Sequence, residues 1–139
     1  MAKTAKRAPK PEEYAQAADL REALRLFQRR TEQITTGHGL TPRIYMLLLM
    51  IKTARNGAGR AGLAELEERL QLGKSTVTEL VLRTEKRGLV RRELDRDRRR
   101  GISIRLTPRG ERLLAAALGD LGDERRRLVD ILTHLPAQA

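Results

Sequence analysis

The sequence contains no cysteine and few aromatic residues, and each shortage excludes a class of protein. Without cysteine, the chain forms no structural disulfide, no thiolate zinc site and no thiol-based redox sensor. Only three of the 139 residues are aromatic, namely Tyr14, Phe27 and Tyr45. Three rings are too few for a protein that binds single-stranded nucleic acid by stacking bases on aromatic side chains.

Long apolar segments are also lacking. The longest run covers residues 46–51, far short of the roughly 20 residues that a membrane-spanning helix needs. The N-terminus has no apolar stretch of the kind found in signal peptides. We therefore expect a soluble, cytoplasmic protein with no membrane partner.

Groups of residues typical of catalysis or metal binding do not occur in the sequence. There is no Ser-His-Asp set, no glycine-rich phosphate loop and no carboxylate pair in an apolar setting. His38 lies between glycines and His134 lies near the C-terminus, and neither has acids at metal-ligand spacing, so both are expected to be solvated surface residues. We expect no enzyme activity and no cofactor.

Positive charge is abundant, and it is concentrated. The formal net charge is +11. Residues 1–10 carry four bases and no acid, and residues 83–112 carry twelve bases against five acids. The remaining positions hold thirteen of each sign. A charge needed only for solubility would be spread over the chain, whereas this distribution indicates a polyphosphate partner. Residues 1–11 are expected to form a disordered basic arm.

The most basic segment lies at the tip of a predicted β-hairpin. Residues 89–94 and 102–106 have the composition and alternation of two strands. The tip between them, 95–100, carries four arginines against two aspartates, unlike ordinary hairpin turns. The alternative is a solvated basic turn. We favour a finger that contacts a polyanion, because such crowding of like charge is unfavourable without one.

Helical periodicity accounts for the first half of the chain. Apolar residues three, four or seven apart predict a long amphipathic helix over about 12–35. A second, strongly apolar helix begins at Thr41-Pro42, where a capping hydroxyl precedes proline. Residues 55–60 are expected to form a loop, and leucines mark a short third helix over 63–70.

A fourth helix is predicted over about 74–87 and stops at Gly88, in the left-handed position typical of helix ends. After the hairpin, Thr107-Pro108 repeats the cap-and-proline signal and begins a final helical region that extends to about 135. Gly119 and Gly122 either kink one long helix or separate two.

The fourth helix has two different faces. Val77, Leu80, Val81 and Thr84 are expected to pack on the core, while polar residues occupy the opposite side. Short hydroxyls in the first turn would let the helix approach base edges and phosphates closely. The alternative is that Ser75 and Thr76 only cap the helix, since residues 76–79 match a capping box.

The order of elements predicts the fold class. A short helix, a tight turn, a second helix and a β-hairpin form a winged helix-turn-helix, so the chain is expected to be mainly α with a small β-wing. In that arrangement we expect these DNA-contacting residues: on the fourth helix Lys74, Ser75, Thr76, Thr78, Glu79 and Arg83, and on the wing Arg91, Arg92, Arg96, Arg98, Arg99 and Arg100.

The sequence resembles the MarR family of multiple-antibiotic-resistance-type regulators. The resemblance covers about 20–114 in unbroken order and rests on short segments at residues 39–42, 66–72, 75–81, 86–92 and 106–110. It implies a homodimer with one winged helix-turn-helix in each protomer. It also implies that the fourth helix reads the major groove, that a wing arginine enters the minor groove, and that helices from both termini form the dimer interface.

The resemblance further implies a single domain over 12–139. Its winged helix-turn-helix core would cover about 41–107, with dimerisation helices over about 12–36 and 108–135. A small aromatic acid or similar effector would bind between the dimerisation helices and the core. The residues expected to line its pocket are Tyr14, Phe27, Tyr45, Met46 and Met50.

The chain departs from the family pattern at the wing. The acids Asp95 and Asp97 are only two positions apart, so two alignments of the wing motif remain open. Which arginine among 98–100 enters the minor groove is therefore left open. The segment after Thr107-Pro108 is also about ten residues shorter than family members commonly have. The dimer interface must then be smaller, or be completed by the long first helix.

These observations predict a sequence-specific double-stranded DNA-binding transcriptional regulator. We expect a repressor that acts as a homodimer on a pseudo-palindromic operator and is released by a small effector. The alternative is a nonspecific architectural DNA- or RNA-binding protein, which strong basicity alone would also support.

Overall fold

A computed structural model describes residues 7–94 and 101–135, and these ranges form five helices and three strands. All the predicted helices and both hairpin strands are present. The final region is one continuous helix, which decides between the two alternatives at Gly119 and Gly122. In chain order the elements are α1 (Pro11–Gly37), α2 (Pro42–Lys52), β1 (Arg60–Gly62), α3 (Leu63–Leu70), α4 (Lys74–Lys86), β2 (Val90–Leu94), β3 (Ile102–Leu106) and α5 (Pro108–His134).

Threonine followed by proline begins both α2 and α5, as predicted. The Thr41 hydroxyl accepts a hydrogen bond from the Ile44 N–H at 3.1 Å. The Thr107 hydroxyl accepts one from the Gly110 N–H, also at 3.1 Å. Each cap satisfies an N–H that the first helical turn would leave unpaired.

Gly88 ends α4 as predicted. Its φ is +74°, in the left-handed region that favours glycine. The N–H of Leu89 then donates to the Thr84 carbonyl at 3.2 Å, and the Leu89 side chain is fully buried. This closure fixes where the chain leaves α4 and enters β2.

The three strands form one antiparallel sheet in the order β1-β3-β2. Ala61 lies opposite Ile104, and Val90 lies opposite Leu106. The predicted loop over 55–60 is wrong at its last residue, because Arg60 begins β1. The sequence does not reveal β1, because three residues are too few to show an alternation of apolar and polar side chains. Its partner strand β3 is also more than forty positions away in the sequence.

The core is centred on α2. Ile44, Leu47, Leu48 and Ile51 are all at most 1% exposed, which explains why this helix is apolar on more than one side. Val77 and Val81 of α4 and Ile104 and Leu106 of β3 join the same cluster. The core therefore holds α4 against α2 and against the sheet.

The first turn of α5 is joined closely to the chain that leaves α4. The Thr107 hydroxyl donates to the Gly88 carbonyl at 2.6 Å, and the Thr107 N–H donates to the Leu89 carbonyl at 3.0 Å. A Cβ on Gly110 would lie 2.1 Å from the Leu89 carbonyl oxygen, so only glycine fits there.

The pair formed by α1 and α5 is much less buried than the core. Each helix is 27 residues long, yet α1 buries only Ala23 and Thr35. Exposed apolar side chains lie along both helices: Tyr14, Leu20 and Leu26 on α1, and Leu118, Val129 and Leu132 on α5. None of the helices in the described ranges has the length and hydropathy needed to cross a bilayer.

Candidate nucleic-acid interface

Helix α4 has the two faces that the sequence predicts. Val77, Leu80, Val81 and Thr84 are buried against the core. Of the predicted DNA contacts on the other side, Thr76 and Thr78 are half-buried, and four are exposed: Lys74, Ser75, Glu79 and Arg83.

The capping alternative for Ser75 and Thr76 is wrong. The N-cap of α4 is Gly73, which makes no side-chain cap, so both hydroxyl residues lie inside the first turn. Glu79 does not fold back to cap the helix, because its carboxylate binds the Arg83 guanidinium at 2.8 Å. The short hydroxyl side chains are therefore at the beginning of a helix whose outer face is open to a partner.

On the exposed face of α4, the Glu79 carboxylate is a hydrogen-bond acceptor and the neighbouring Arg83 guanidinium is a planar hydrogen-bond donor. The two side chains are 72% and 58% exposed, and a pair so open to water contributes at most about 1 kcal/mol. Arg83 can therefore leave Glu79 at little cost. A guanidinium released in this way can bind a phosphate or the edge of a guanine.

The wing stem places its two predicted arginines on opposite faces of the sheet. Arg91 lies opposite Arg105, and its Nε contacts a Glu93 carboxylate oxygen at 3.1 Å. Arg92 lies opposite the buried Ile104 on the core side, where its Nε contacts Glu85 of α4 at 3.1 Å. Arg92 thus connects β2 to α4. The predicted wing-tip residues Arg96, Arg98, Arg99 and Arg100 lie outside the described residues.

Two arginines that sequence reasoning missed extend the basic surface across the sheet. Arg60 of β1 lies opposite Arg105 of β3, which in turn lies opposite Arg91 of β2. We call Arg60, Arg91 and Arg105 the arginine row. The alternation of β3 marks Arg105 as outward-facing, but Arg60 could be recognised only once β1 was known to be a strand.

A groove opens between α1, α2 and α5, with a volume of about 620 Å³. Four of the five predicted effector contacts line it: Phe27, Tyr45, Met46 and Met50. Tyr14 does not line the groove, and that prediction is wrong. It lies one turn from the start of α1 and is 64% exposed. The other lining residues are Leu24, Gln28, Thr31, Glu32, Pro42, Leu49, Leu121, Arg125 and Leu128.

Arg125 and Glu32 are the charged residues of this mostly apolar groove. Burial raises the pKa of the Tyr45 hydroxyl above its usual value, and the positive charge of Arg125 opposes part of that shift. Within the described ranges, Arg125 has no acid at ion-pair distance. The groove therefore offers aromatic and thioether contacts next to an available guanidinium.

Comparisons with known proteins agree with this geometry. The sequence model of the MarR family matches residues 38–101. The transcriptional regulator HosA of Escherichia coli O157:H7 is 49% identical over 53 residues, which are 37% of this chain and 39% of HosA. The match thus spans well under half the length of that relative.

Solved structures match over almost the whole chain. AbsC, a MarR family regulator from Streptomyces coelicolor, superposes with a TM-score of 0.79 at 24% identity, over 91% of this chain and 84% of AbsC. A MarR family protein from Bacillus stearothermophilus gives 0.69 at 27% identity, over 93% and 86%. Sco3205 from Streptomyces coelicolor, solved in complex with DNA, gives 0.74 at 26% identity, over 89% and 77%. The chain is thus similar to the MarR family in sequence over residues 38–101 and in fold over almost its whole length.

Within the MarR fold, the element order confirms the predicted winged helix-turn-helix. Helices α3 and α4 form the helix-turn-helix, β2 and β3 form the wing stem, and β1 completes the sheet. Helices α1 and α5 pack against each other, and Arg30 of α1 contacts Glu124 of α5 at 3.4 Å.

The two histidines differ in exposure. His38 is only partly solvated, because its Nε2 lies 2.6 Å from a carboxylate oxygen of Asp120 and its side chain is 22% exposed. The pair connects the end of α1 to α5. His134 is on the surface, with its side chain 74% exposed. In the parts of the chain that the structure describes, no cluster of acidic, histidine or cysteine side chains could hold a metal ion.

Proposed function

We propose that this protein is a MarR family, sequence-specific regulator of transcription that binds double-stranded DNA. The observation that carries the proposal is the exposed polar face of α4 next to the stem of a basic wing. The relative Sco3205, which shares the fold over most of its length, was solved in complex with DNA. Because its proposed target is operator DNA, its proposed location is the cytoplasm.

Two groups of residues have different tasks in this proposal. Lys74, Arg91 and the wing arginines neutralise phosphates, which supplies affinity and makes binding salt-dependent. Ser75, Thr76, Thr78, Glu79 and Arg83 lie on α4 and choose the sequence. Arg92 contributes by holding β2 against Glu85 of α4, and its positive charge adds to the field.

A homodimer is the proposed active form. Two helices of 27 residues that leave so much apolar surface exposed need a further partner, and a second copy covers both at once. The twofold axis then requires a pseudo-palindromic operator whose half-sites lie about one helical turn apart, roughly 10–11 base pairs. A dimer lying across a promoter represses by excluding polymerase.

A small aromatic acid is the proposed effector, and the groove between α1, α2 and α5 is its site. The ring would contact Phe27, Tyr45 and Met46, while the carboxylate would bind Arg125. Glu32 on the same groove disfavours ligands with more than one negative charge. Such a ligand releases DNA only if it binds better to a dimer whose two α4 helices have the wrong spacing.

Selection of bound duplexes from a random pool tests the DNA proposal. We expect enrichment of one palindromic sequence, with affinity at least a hundredfold above that for random duplex and for RNA of the same length. Binding all duplexes alike, or RNA equally well, would favour the nonspecific architectural alternative instead.

Titration with benzoic, salicylic and hydroxybenzoic acids tests the effector proposal. We expect at least one to raise the melting temperature of the wild type and to weaken operator binding, and we expect Arg125→Gln to lose both responses. Arg126→Gln is the matched control, because Arg126 is the next residue of α5 but pairs with Asp123 outside the groove. No response to any acid would remove the effector from the proposal.

A further inference from the structure

The arginine row is a second basic surface, separate from α4 and from the wing tip. Arg60, Arg105 and Arg91 occupy one level of the sheet on three neighbouring strands. Residues directly opposite each other in an antiparallel pair have Cβ atoms about 5 Å apart. Three guanidinium groups are therefore anchored side by side across the whole width of the sheet.

This arrangement has too little negative charge to be explained as a structural ion-pair network. Glu93 contacts Arg91 at 3.1 Å and Arg105 at 3.8 Å. Arg60 has no acid at ion-pair distance within the described ranges. Like charges placed directly opposite each other destabilise a sheet. One carboxylate against three cations leaves a local excess that a bound anion would neutralise.

The row is on the outer face of the sheet, away from α4. The inner face is identified by Ala61, Ile104 and Leu106, which are buried in the core, and by Arg92, which binds Glu85 of α4. Arg60, Arg91 and Arg105 alternate with these residues and so face the other way. If α4 lies in the major groove of a duplex, the arginine row can contact only the part of that duplex on the far side of the wing from α4.

The distance along the wing stem fits this position. Arg91 is three residues before Leu94, the last residue of β2, which places the row about 10 Å back from the end of the stem at a rise of about 3.4 Å per residue. If the wing tip enters the minor groove, the arginine row would lie next to the sugar-phosphate backbone at the outer edge of that groove.

We propose that the arginine row binds phosphates of the operator flank, outside the base pairs that α4 and the wing tip contact. The proposal rests on the proposed function and adds Arg60 and Arg105 to the DNA-binding residues. Because these contacts are to phosphates alone, they extend the footprint without adding sequence preference.

Duplex length and salt together test the row. The wild type and Arg60→Gln/Arg105→Gln are titrated against a duplex trimmed to the selected site and against one extended by about one helical turn, roughly 10 base pairs, on both sides. On the long duplex, loss of two phosphate contacts should make the slope of log affinity against log salt shallower by about 1.8 per protomer. On the trimmed duplex, the two proteins should have the same slope. Arg91 is left unchanged because it already belongs to the predicted wing contacts.

Arg21→Gln/Arg25→Gln is the matched control. It removes the same charge from two exposed arginines of α1, and it should follow the wild type on both duplexes. Thermal unfolding should show Arg60→Gln/Arg105→Gln to be at least as stable as the wild type, because the variant removes repulsion between like charges.

Three results overturn the inference while leaving the proposed function in place. The first is that Arg60→Gln/Arg105→Gln keeps the wild-type salt slope on the long duplex. The second is that its slope becomes shallower by the same amount on both duplexes. The third is that the slope of the control variant becomes shallower by the same amount. An unchanged slope would mean that Arg60 and Arg105 bind no phosphate of the operator flank. A wild type that binds no duplex at all would remove the proposed function and the inference together.

Discussion

The winged-helix core and the α1–α5 pair use their apolar residues in opposite ways. In the core, α2 is only 11 residues long but buries five of them, including four side chains that are at most 1% exposed. The much longer α1 buries two. The core is therefore stabilised within one chain, whereas the α1–α5 pair leaves exposed the apolar surface that the proposed homodimer would cover.

Replacing a core leucine should give the largest effect and should separate the two regions most clearly. Leu47→Ala removes a fully buried side chain from α2, and we expect the free energy of unfolding to fall by about 2–5 kcal/mol. Urea denaturation measures it. Leu132→Ala on α5 is the control, since its side chain is 41% exposed and its loss should change the stability of the isolated chain little. Equal costs for the two variants at concentrations where the chain is monomeric would contradict the comparison.

Charges placed on the α1–α5 pair should break the assembly without unfolding the core. Val129→Asp/Leu132→Asp puts two carboxylates on the exposed apolar side of α5. Because burial of one such side chain is worth about 1.5–3 kcal/mol, dimer dissociation should increase by about tenfold or more. Light scattering over a concentration series checks this, with circular dichroism to verify folding. Leu82→Asp, an equally exposed site on α4, should leave the assembly unchanged.

Removing the wing arginines should weaken binding to most duplexes by a similar factor. Arg98→Ala/Arg99→Ala/Arg100→Ala should make the slope of log affinity against log salt shallower by about 2.7 per protomer if three phosphate contacts are lost. Arg21→Ala/Arg25→Ala/Arg29→Ala removes the same charge from one side of α1 and should keep the wild-type slope. If the wing variant also keeps that slope, the wing is a solvated turn.

Substitutions on α4 should have a smaller and more selective effect than those on the wing. Thr76→Ala or Arg83→Ala should cost about 1–3 kcal/mol at the cognate base pair and little on random duplex. A competition assay with single-base operator variants measures the preference at each position. A uniform loss at all sequences would assign these residues to phosphates instead of bases.

Local signals in the sequence were enough to predict most of the helices. Thr41 and Thr107 are followed by proline, and both cap the helices that they were expected to cap. Gly88 ends α4 because a left-handed residue was needed there. These predictions succeeded because each depends on atoms within four or five residues of the signal.

Features that depend on distant residues could not be predicted in the same way. β1 exists only because β3 pairs with it, and His38 is held by an aspartate 82 positions later. Continuity of α5 through Gly119 and Gly122 was left open, since glycine weakens an isolated helix by about 1 kcal/mol, and the packing of α5 against α1 and α2 is not visible in the sequence. Of the groove residues, Tyr14 failed because an aromatic residue on an amphipathic helix does not reveal how far the partner helix extends.

The contact of Gly110 with Leu89 turns α5 into a lever. With the first turn of α5 packed on the chain that leaves α4, we expect a tilt of α5 to move α4 with it. At about 1.5 Å per residue the lever is about 40 Å long, so a tilt of about 5° at one end moves the other by about 3.5 Å. If the far end of α5 is held in the proposed homodimer, a tilt of that size caused by an effector in the groove would displace α4 by about one base-pair step.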